Sequence, residues 1–425
     1  MLIPRAADSR PIWLHVGTLL DGTSTQPARD VHLVYNSREI LFVGRDGQLP
    51  PREKIREGQT TPDLSAPDAV VLPGLIEAHA HLFLEGGELN ADARASYLQQ
   101  SPDKLIELAI ERLPKLVKLG LAGVRDAGDK DGVGLALSRL YKSEKHPLMP
   151  YYESPGAAIH HKGRYGTFMA DALENHATPR ACVESRVKAG ADRIKLIPTG
   201  IINFKKAAVT TEPQMTTEEV RQLTDAAKAF GRQSFAHASG DIGIDRAIDG
   251  GVDSIEHGFF LRDDQLAKLR DLRTAWVPTF APVQKQIDHA DIMGWDAEIT
   301  ANLRKILARH GETLVEANDR GVLIVAGSDA GSYGVAHGTG FLYELELMER
   351  AGLPAIAVIN AATGVGSDRL NYREKIGRIA VGYRSRFLLT TFSPAVTVSN
   401  LRKPKTIIFD GEVFEADDVV EEKGL

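Results

Sequence analysis

The middle of this 425-residue chain repeats one rhythm: a short apolar run followed by a longer segment with helical spacing. Runs fall at 121–126, 193–197, 233–237, 252–257, 274–278 and 322–327, with one more beginning at Val70 and another near 148–153. Such runs read as buried parallel strands. The segments between them read as helices; Thr216-Thr-Glu-Glu219 supplies a cap and an acidic first turn ahead of the apolar Val220, Leu223 and Ala227. Alternation sustained over about 300 residues selects a parallel sheet, and eight repeats select an α/β fold of the (β/α)8 TIM-barrel type. The competing architecture is a doubly wound open sheet, but no Gly-x-Gly-x-x-Gly opens a helix after the first run.

The two ends of the chain read differently. From Ile12 to about Ala66, and again from about Ile379, short alternating strands are punctuated by turns such as Asp46-Gly47 and Asp410-Gly411. The expectation is a small β-sandwich built from both termini, residues 1–68 and 378–425, around a barrel at 69–377. A net charge of −6 offers no basic field for nucleic acid and no polybasic patch for a membrane. Neither an apolar signal core nor a stretch of ~18 apolar residues is present, so a cytoplasmic location is the expectation. With Cys182 as the single cysteine, any metal must be held by nitrogen and oxygen.

In a barrel the chemistry sits where the strands end. The polar residues closing the apolar runs are His79 and His81, Lys195, His237, His257 and Asp329. His79 and His81 share a strand face and form a bidentate clamp for a metal. Each residue alone also has a plain structural reading: a satisfied rim histidine, a turn aspartate. Lys195 is set between Ile194 and Leu196, and its ammonium has no lone pair for a metal. Reaction with carbon dioxide would give it a carbamate, an anion with two oxygens able to bridge two cations.

Taken together, His-x-His, Lys, His, His and Asp on five successive ligand-bearing strands resemble the ligand order of the amidohydrolase superfamily. Phrases around them extend the resemblance over nearly the whole chain: Leu72-Pro-Gly-Leu-Ile-Glu-Ala-His-Ala-His81, Ala236-His-Ala-Ser-Gly240, Gly251-Val-Asp-Ser-Ile-Glu-His-Gly258, Gly327-Ser-Asp-Ala-Gly331 and Ile359-Asn-Ala-Ala-Thr363. Within the superfamily the chain looks most like the imidazolonepropionase-like branch, which holds prolidase-type Xaa-Pro dipeptidases, arginine carboxypeptidases and ochratoxin-degrading amidases.

The resemblance implies two divalent ions, zinc by the nitrogen-rich donor set. His79, His81 and Asp329 would hold one and His237 and His257 the other, with N6-carboxylysine at Lys195 between them. It implies hydrolysis of an amide in a dipeptide or N-acyl amino acid by a metal-bridging hydroxide, with Asp329 as the proton carrier. Cyclic amides, lactones and xenobiotic amides or esters are compatible with the same chemistry. A deaminase of this superfamily would place a glutamate three residues after the fifth-strand histidine, where Gly240 stands here. A non-catalytic scaffold would have lost ligands, and all six are present. For the carboxylate of a substrate, the loops offer Arg164, Tyr165 and His337. The loop Ile159-His-His-Lys-Gly-Arg-Tyr-Gly166 departs from the Gly-Gly-His-Gly type of the dipeptidases, which weakens the transfer of substrate identity. Relatives commonly form homo-oligomers.

Overall fold

A computed structural model describes residues 3–420 apart from 144, 145 and 147. The fold is mixed α/β with a separate sheet of N- and C-terminal strands. Two compact units divide the chain. One contains the residues up to Ile76, Pro114–Gly123 and those from Pro354 onward; the other contains Glu77–Leu113 and Val124–Leu353.

The first unit is built on a seven-stranded sheet. Its order is Glu412–Ala416, Lys405–Phe409, Arg386–Thr390, Leu64–Pro73, Ile12–Leu19, Ala28–Tyr35 and Ile40–Gly44. Leu64–Pro73 joins the two ends of the chain, running parallel to Ile12–Leu19 and antiparallel to Arg386–Thr390. The Asp410-Gly411 turn takes positive φ at both residues, 50° and 88°, the backbone that a two-residue hairpin requires. Alternate residues Ile12, Leu14, Val16, Val31, Leu33, Phe387 and Leu389 share one core. The rings of Tyr35 and Phe387 meet edge-on at 5.0 Å. Their strands are three spacings apart in the sheet, roughly 14 Å if it were flat, so the sheet must curl. Where the sequence suggests a sandwich, the strands pair as one sheet rolled about a single core.

Most of the parallel strands lie in the second unit, and Leu75–Ala80 and Leu121–Asp126 begin in residues of the first. Ala275–Val277, Ser254–His257, Ser234–Ala238, Ile194–Leu196, Ala158–His160 and Ala170–Ala172 form one sheet, and Leu75–Ala80, Leu121–Asp126 and Tyr151–Glu153 another. The eighth run, around 322–330, bridges them: Val325 N–H donates to Trp276 O at 2.9 Å, Ala78 N–H to Ala326 O at 3.1 Å and His81 N–H to Ala330 O at 2.7 Å. On the other side, Asp192 N–H donates to Ser154 O at 2.8 Å and Ile197 N–H to Ile159 O at 3.0 Å. The helix Thr217–Ala229 starts as its sequence indicates, with Thr216 and Glu219 satisfying each other's backbone N–H and Val220, Leu223 and Ala227 buried. Among the described residues, no helix is long and apolar enough to cross a membrane.

Candidate metal centre

The strands of the second unit deliver their terminal polar residues to one place. Ligand atoms of His79, His257 and Asp329 lie within 4.8 Å of one another. His81 Nε2 is 3.5 Å and His79 Nε2 3.6 Å from Asp329 Oδ1. The His237 ring stands 4.5 Å from that of His257, which stands 5.1 Å from that of His79. Lys195 is fully buried and lines the same cavity. All six residues singled out in the sequence are therefore brought together.

The backbone is bent to achieve this. His257, Thr279 and Asp329 have left-handed φ of 68°, 52° and 55°, a costly conformation for non-glycine residues and costlier for a β-branched threonine. Neighbours in an extended strand point to opposite faces. Yet Glu256 and His257 both approach His79, because the turn at His257 swings its ring round. At Gly327 a Cβ would come within 3.0 Å of the His79 backbone nitrogen, so only glycine lets the two segments close.

Each histidine has one ring nitrogen engaged outside the cluster. His79 Nδ1 faces Glu256 Oε2 at 2.6 Å, His81 Nδ1 faces Gly128 O at 2.9 Å, His237 Nε2 faces Gly200 O at 3.3 Å and His257 Nδ1 faces Thr279 Oγ1 at 2.7 Å. Where the acceptor is a carbonyl or carboxylate, the engaged nitrogen carries the proton, which leaves the other with a lone pair for a cation. Burial, reinforced by the positive charge of Lys195, holds all four imidazoles below their ordinary pKa. They are neutral, as metal ligation requires. Burial also lowers Lys195 to about 8 and raises Asp329. This donor set fits a divalent ion: neutral imidazoles, a carboxylate and no competing thiol.

Behind the ligands lie Arg125 and Glu256, which sequence reasoning missed, and Glu77, which it noted only as a glutamate where relatives of this kind commonly have aspartate. Arg125 donates through Nη2 to both oxygens of Glu256 at 2.8 Å, and through Nη1 to Ser254 Oγ at 3.0 Å. Glu77 accepts from the His79 and Ser328 backbone N–H groups at 2.9 and 3.0 Å, tying together two ligand-bearing segments. Burial raises Glu77 to about 8. For Arg125 and Glu256 the sequence hint was that charged residues inside apolar strands must be paired.

Above the cluster opens a cavity of about 590 Å³ with largely apolar walls. Tyr165 lines it, with its ring 5.3 Å from that of His237. Arg164 and His337 are not among its lining residues. Arg164 is exposed and turned to the carbonyl of Glu212, while His337 is half-buried and spends Nε2 on Leu84 O at 3.0 Å. A second group, His15, Asp30 and His32, is occupied with its own partners: His15 bonds Ser65 and Asp30, and Trp13 Nε1–H donates to His32 Nδ1.

Comparison with known proteins agrees with this geometry. A family model described as the amidohydrolase family matches residues 70–414. The ochratoxinase of Aspergillus niger is 22% identical over 439 residues, spanning 96% of this chain and 86% of that protein. An uncharacterized protein of Mycobacterium tuberculosis is 26% identical over 81% of this chain and 85% of its own length. Among solved structures, a Xaa-Pro dipeptidase with methionine bound in its active site superposes with a TM-score of 0.78 at 27% identity, covering 96% of this chain and 100% of that one.

Proposed function

Because the chain belongs to the amidohydrolase family, we propose that it is a binuclear metal-dependent hydrolase that cuts an amide bond in a dipeptide or N-acyl amino acid. The parallel strands would close as a (β/α)8 barrel, supported by the hydrogen bonds that the 322–330 segment makes to Trp276 on one side and to Ala78 and His81 on the other. The observation that carries the reading is the convergence of four neutral histidines, a buried lysine and a carboxylate at the floor of one apolar cavity.

His79, His81 and Asp329 would hold one ion, and His237 and His257 a second, with zinc the best match to these donors. Lys195 would be shared between the ions as N6-carboxylysine. The ammonium first gives up one proton; the neutral amine nitrogen then bonds the carbon of carbon dioxide and releases a second, so a buried cation among imidazoles is exchanged for an anion. Two divalent ions at these residues supply a Lewis acid for the amide carbonyl and a water acidified toward neutrality. Asp329 accepts a proton from the attacking water and returns it to the leaving amine. Ser332 Oγ donates to Asp329 Oδ2 at 3.0 Å and holds that carboxylate in place. The apolar walls exclude bulk water and accept the side chains of the substrate, consistent with likenesses to a Xaa-Pro dipeptidase and to ochratoxinase.

The test is hydrolysis of a panel of Xaa-Pro, Xaa-Arg and N-acyl aromatic amino acid substrates by zinc-loaded and chelator-treated protein. Cleavage of at least one class by the loaded form alone is the expected result. Cleavage that survives complete removal of metal would overturn the reading.

A further inference from the structure

One wall of the cavity is cationic. Arg94 sits in the helix Ala91–Leu98, whose start is fixed by Asn90 accepting the Ala93 N–H at 2.9 Å. Its guanidinium is held at two points. Nη2 donates to Gly331 O at 2.9 Å, and the guanidinium carbon lies 4.2 Å from the centre of the Tyr333 ring. Nη1 is buried and has no hydrogen-bond partner. A buried N–H without an acceptor is expensive, and native structures rarely keep one without a use. Here the open donor belongs to a residue lining the cavity above the candidate ligands.

The remaining surroundings narrow what could meet it. Asp329 is the only carboxylate among the described residues lining the cavity, so nothing else there compensates the Arg94 charge or receives the α-ammonium of a free dipeptide. Phe204 and Trp295 form an apolar wall, and Leu98, Phe168 and Ile201 line the cavity while remaining 39%, 38% and 54% exposed. An exposed apolar rim on a deep apolar cavity favours a bulky apolar ligand. The carbonyl that anchors Arg94 is that of Gly331, two residues from Asp329.

We infer that Arg94 is an anion-binding subsite that receives the terminal carboxylate of an N-acylated amino acid with a large apolar acyl group, in preference to a free dipeptide. The inference rests on the amide-hydrolysis reading above in one respect. Since Asp329 serves the leaving amine, the carboxylate held beside it belongs to the amine-side fragment. A guanidinium fixed by a carbonyl and an aromatic face presents its remaining N–H groups in a defined plane, the geometry that recognises a carboxylate.

The experiment measures binding to the full-length chain, in excess chelator so that catalysis is silent, by titration calorimetry. The probes are N-benzoyl-phenylalanine, its methylamide and free Ala-Phe. Wild type should bind the acid most tightly. Arg94→Gln should weaken the acid about 10- to 100-fold, the loss of a charged hydrogen bond, and leave the methylamide within about twofold. Arg94→Lys should recover part of the difference. The helix has no buried residue, so these variants leave the core untouched. Equal loss for acid and methylamide, no preference of wild type for the acid over Ala-Phe, or no binding of the acid at all would each overturn the proposal. Hydrolysis of the same acid by zinc-loaded protein is scored separately. Arg94-dependent binding without cleavage of this acid or of any substrate in the panel would refute the hydrolase reading and leave the subsite standing.

Discussion

Replacing Glu256 by glutamine removes the charge that holds two functions together. Arg125 and Glu256 are 1% and 0% exposed, with Nη2 at 2.8 Å from both carboxylate oxygens, and Ser254 Oγ donates to Oε1 at 2.6 Å. The other call on the carboxylate is His79 Nδ1, at 2.6 Å from Oε2. Glutamine keeps one acceptor oxygen and turns an amide N–H₂ toward the other donors, so either the guanidinium or the imidazole faces a donor. Leaving one member of a buried ion pair uncompensated costs about 3–5 kcal/mol; the surviving oxygen puts Glu256→Gln near the lower end, about 3 kcal/mol. His79 also loses the partner that fixes its tautomer, which lowers metal affinity by roughly 10- to 100-fold. The two effects separate in the assay. Denaturant unfolding of chelated protein reads the first, and zinc titration against a competing chromophoric chelator reads the second. A variant within about 0.5 kcal/mol of wild type and with unchanged zinc affinity would refute the argument outright. A stability loss with unchanged zinc affinity would show that Glu256 serves Arg125 alone.

Asp329→Asn should lower turnover of any substrate found in the panel by about 10³-fold or more, the scale of general acid–base catalysis together with a lost ligand charge; steady-state rates within tenfold of wild type would contradict its role. His310 offers a pH prediction away from the metal centre. Its ring is stacked on Phe259 at 4.1 Å, Nε2–H donates to Pro278 O at 3.0 Å, and burial lowers its pKa to about 4. As pH falls below 6.5 the unfolded chain takes up a proton that the folded chain refuses, so stability present above 6.5 is lost on the way to 4, by about 2 kcal/mol at pH 5. His310→Phe should flatten the fall in urea midpoint between pH 7 and pH 5, and an unchanged slope would sink the assignment.

Much of this molecule was legible because buried parallel strands leave a simple trace. The run at 121–126 coincides with the strand Leu121–Asp126, and Thr216 caps the helix that it was expected to cap. The ligand cluster was legible for the same reason, since the residue closing a strand is the one delivered to the rim. The run at 322–327 was harder: its regular pairing is reduced to a bridge at Ile324, although its backbone still bonds on both sides. Arg94 left no trace. The helix that carries it has no apolar face to mark it, and the carbonyl that orients it lies 237 residues away. Arg164 looked better from sequence because its loop follows a strand, but a loop residue's direction is set by whichever carbonyl it finds, here that of Glu212. Glu256 was hidden by strand alternation, which the left-handed turn at His257 overrides.

The curled sheet of the first unit imposes an order on biosynthesis. Leu64–Pro73 takes Ile12–Leu19 as one neighbour and Arg386–Thr390 as the other. The first partner leaves the ribosome before it, and the second about 300 residues later, a wait of roughly 15 to 60 s at ordinary elongation rates. Throughout that interval a long apolar strand has one ladder of backbone groups unmet, the kind of edge that recruits other chains. The nascent protein is therefore most exposed to aggregation while residues 74–385 are being made, and slow translation of that middle stretch should lower the yield of native protein more than equally slow translation of the residues before Leu64.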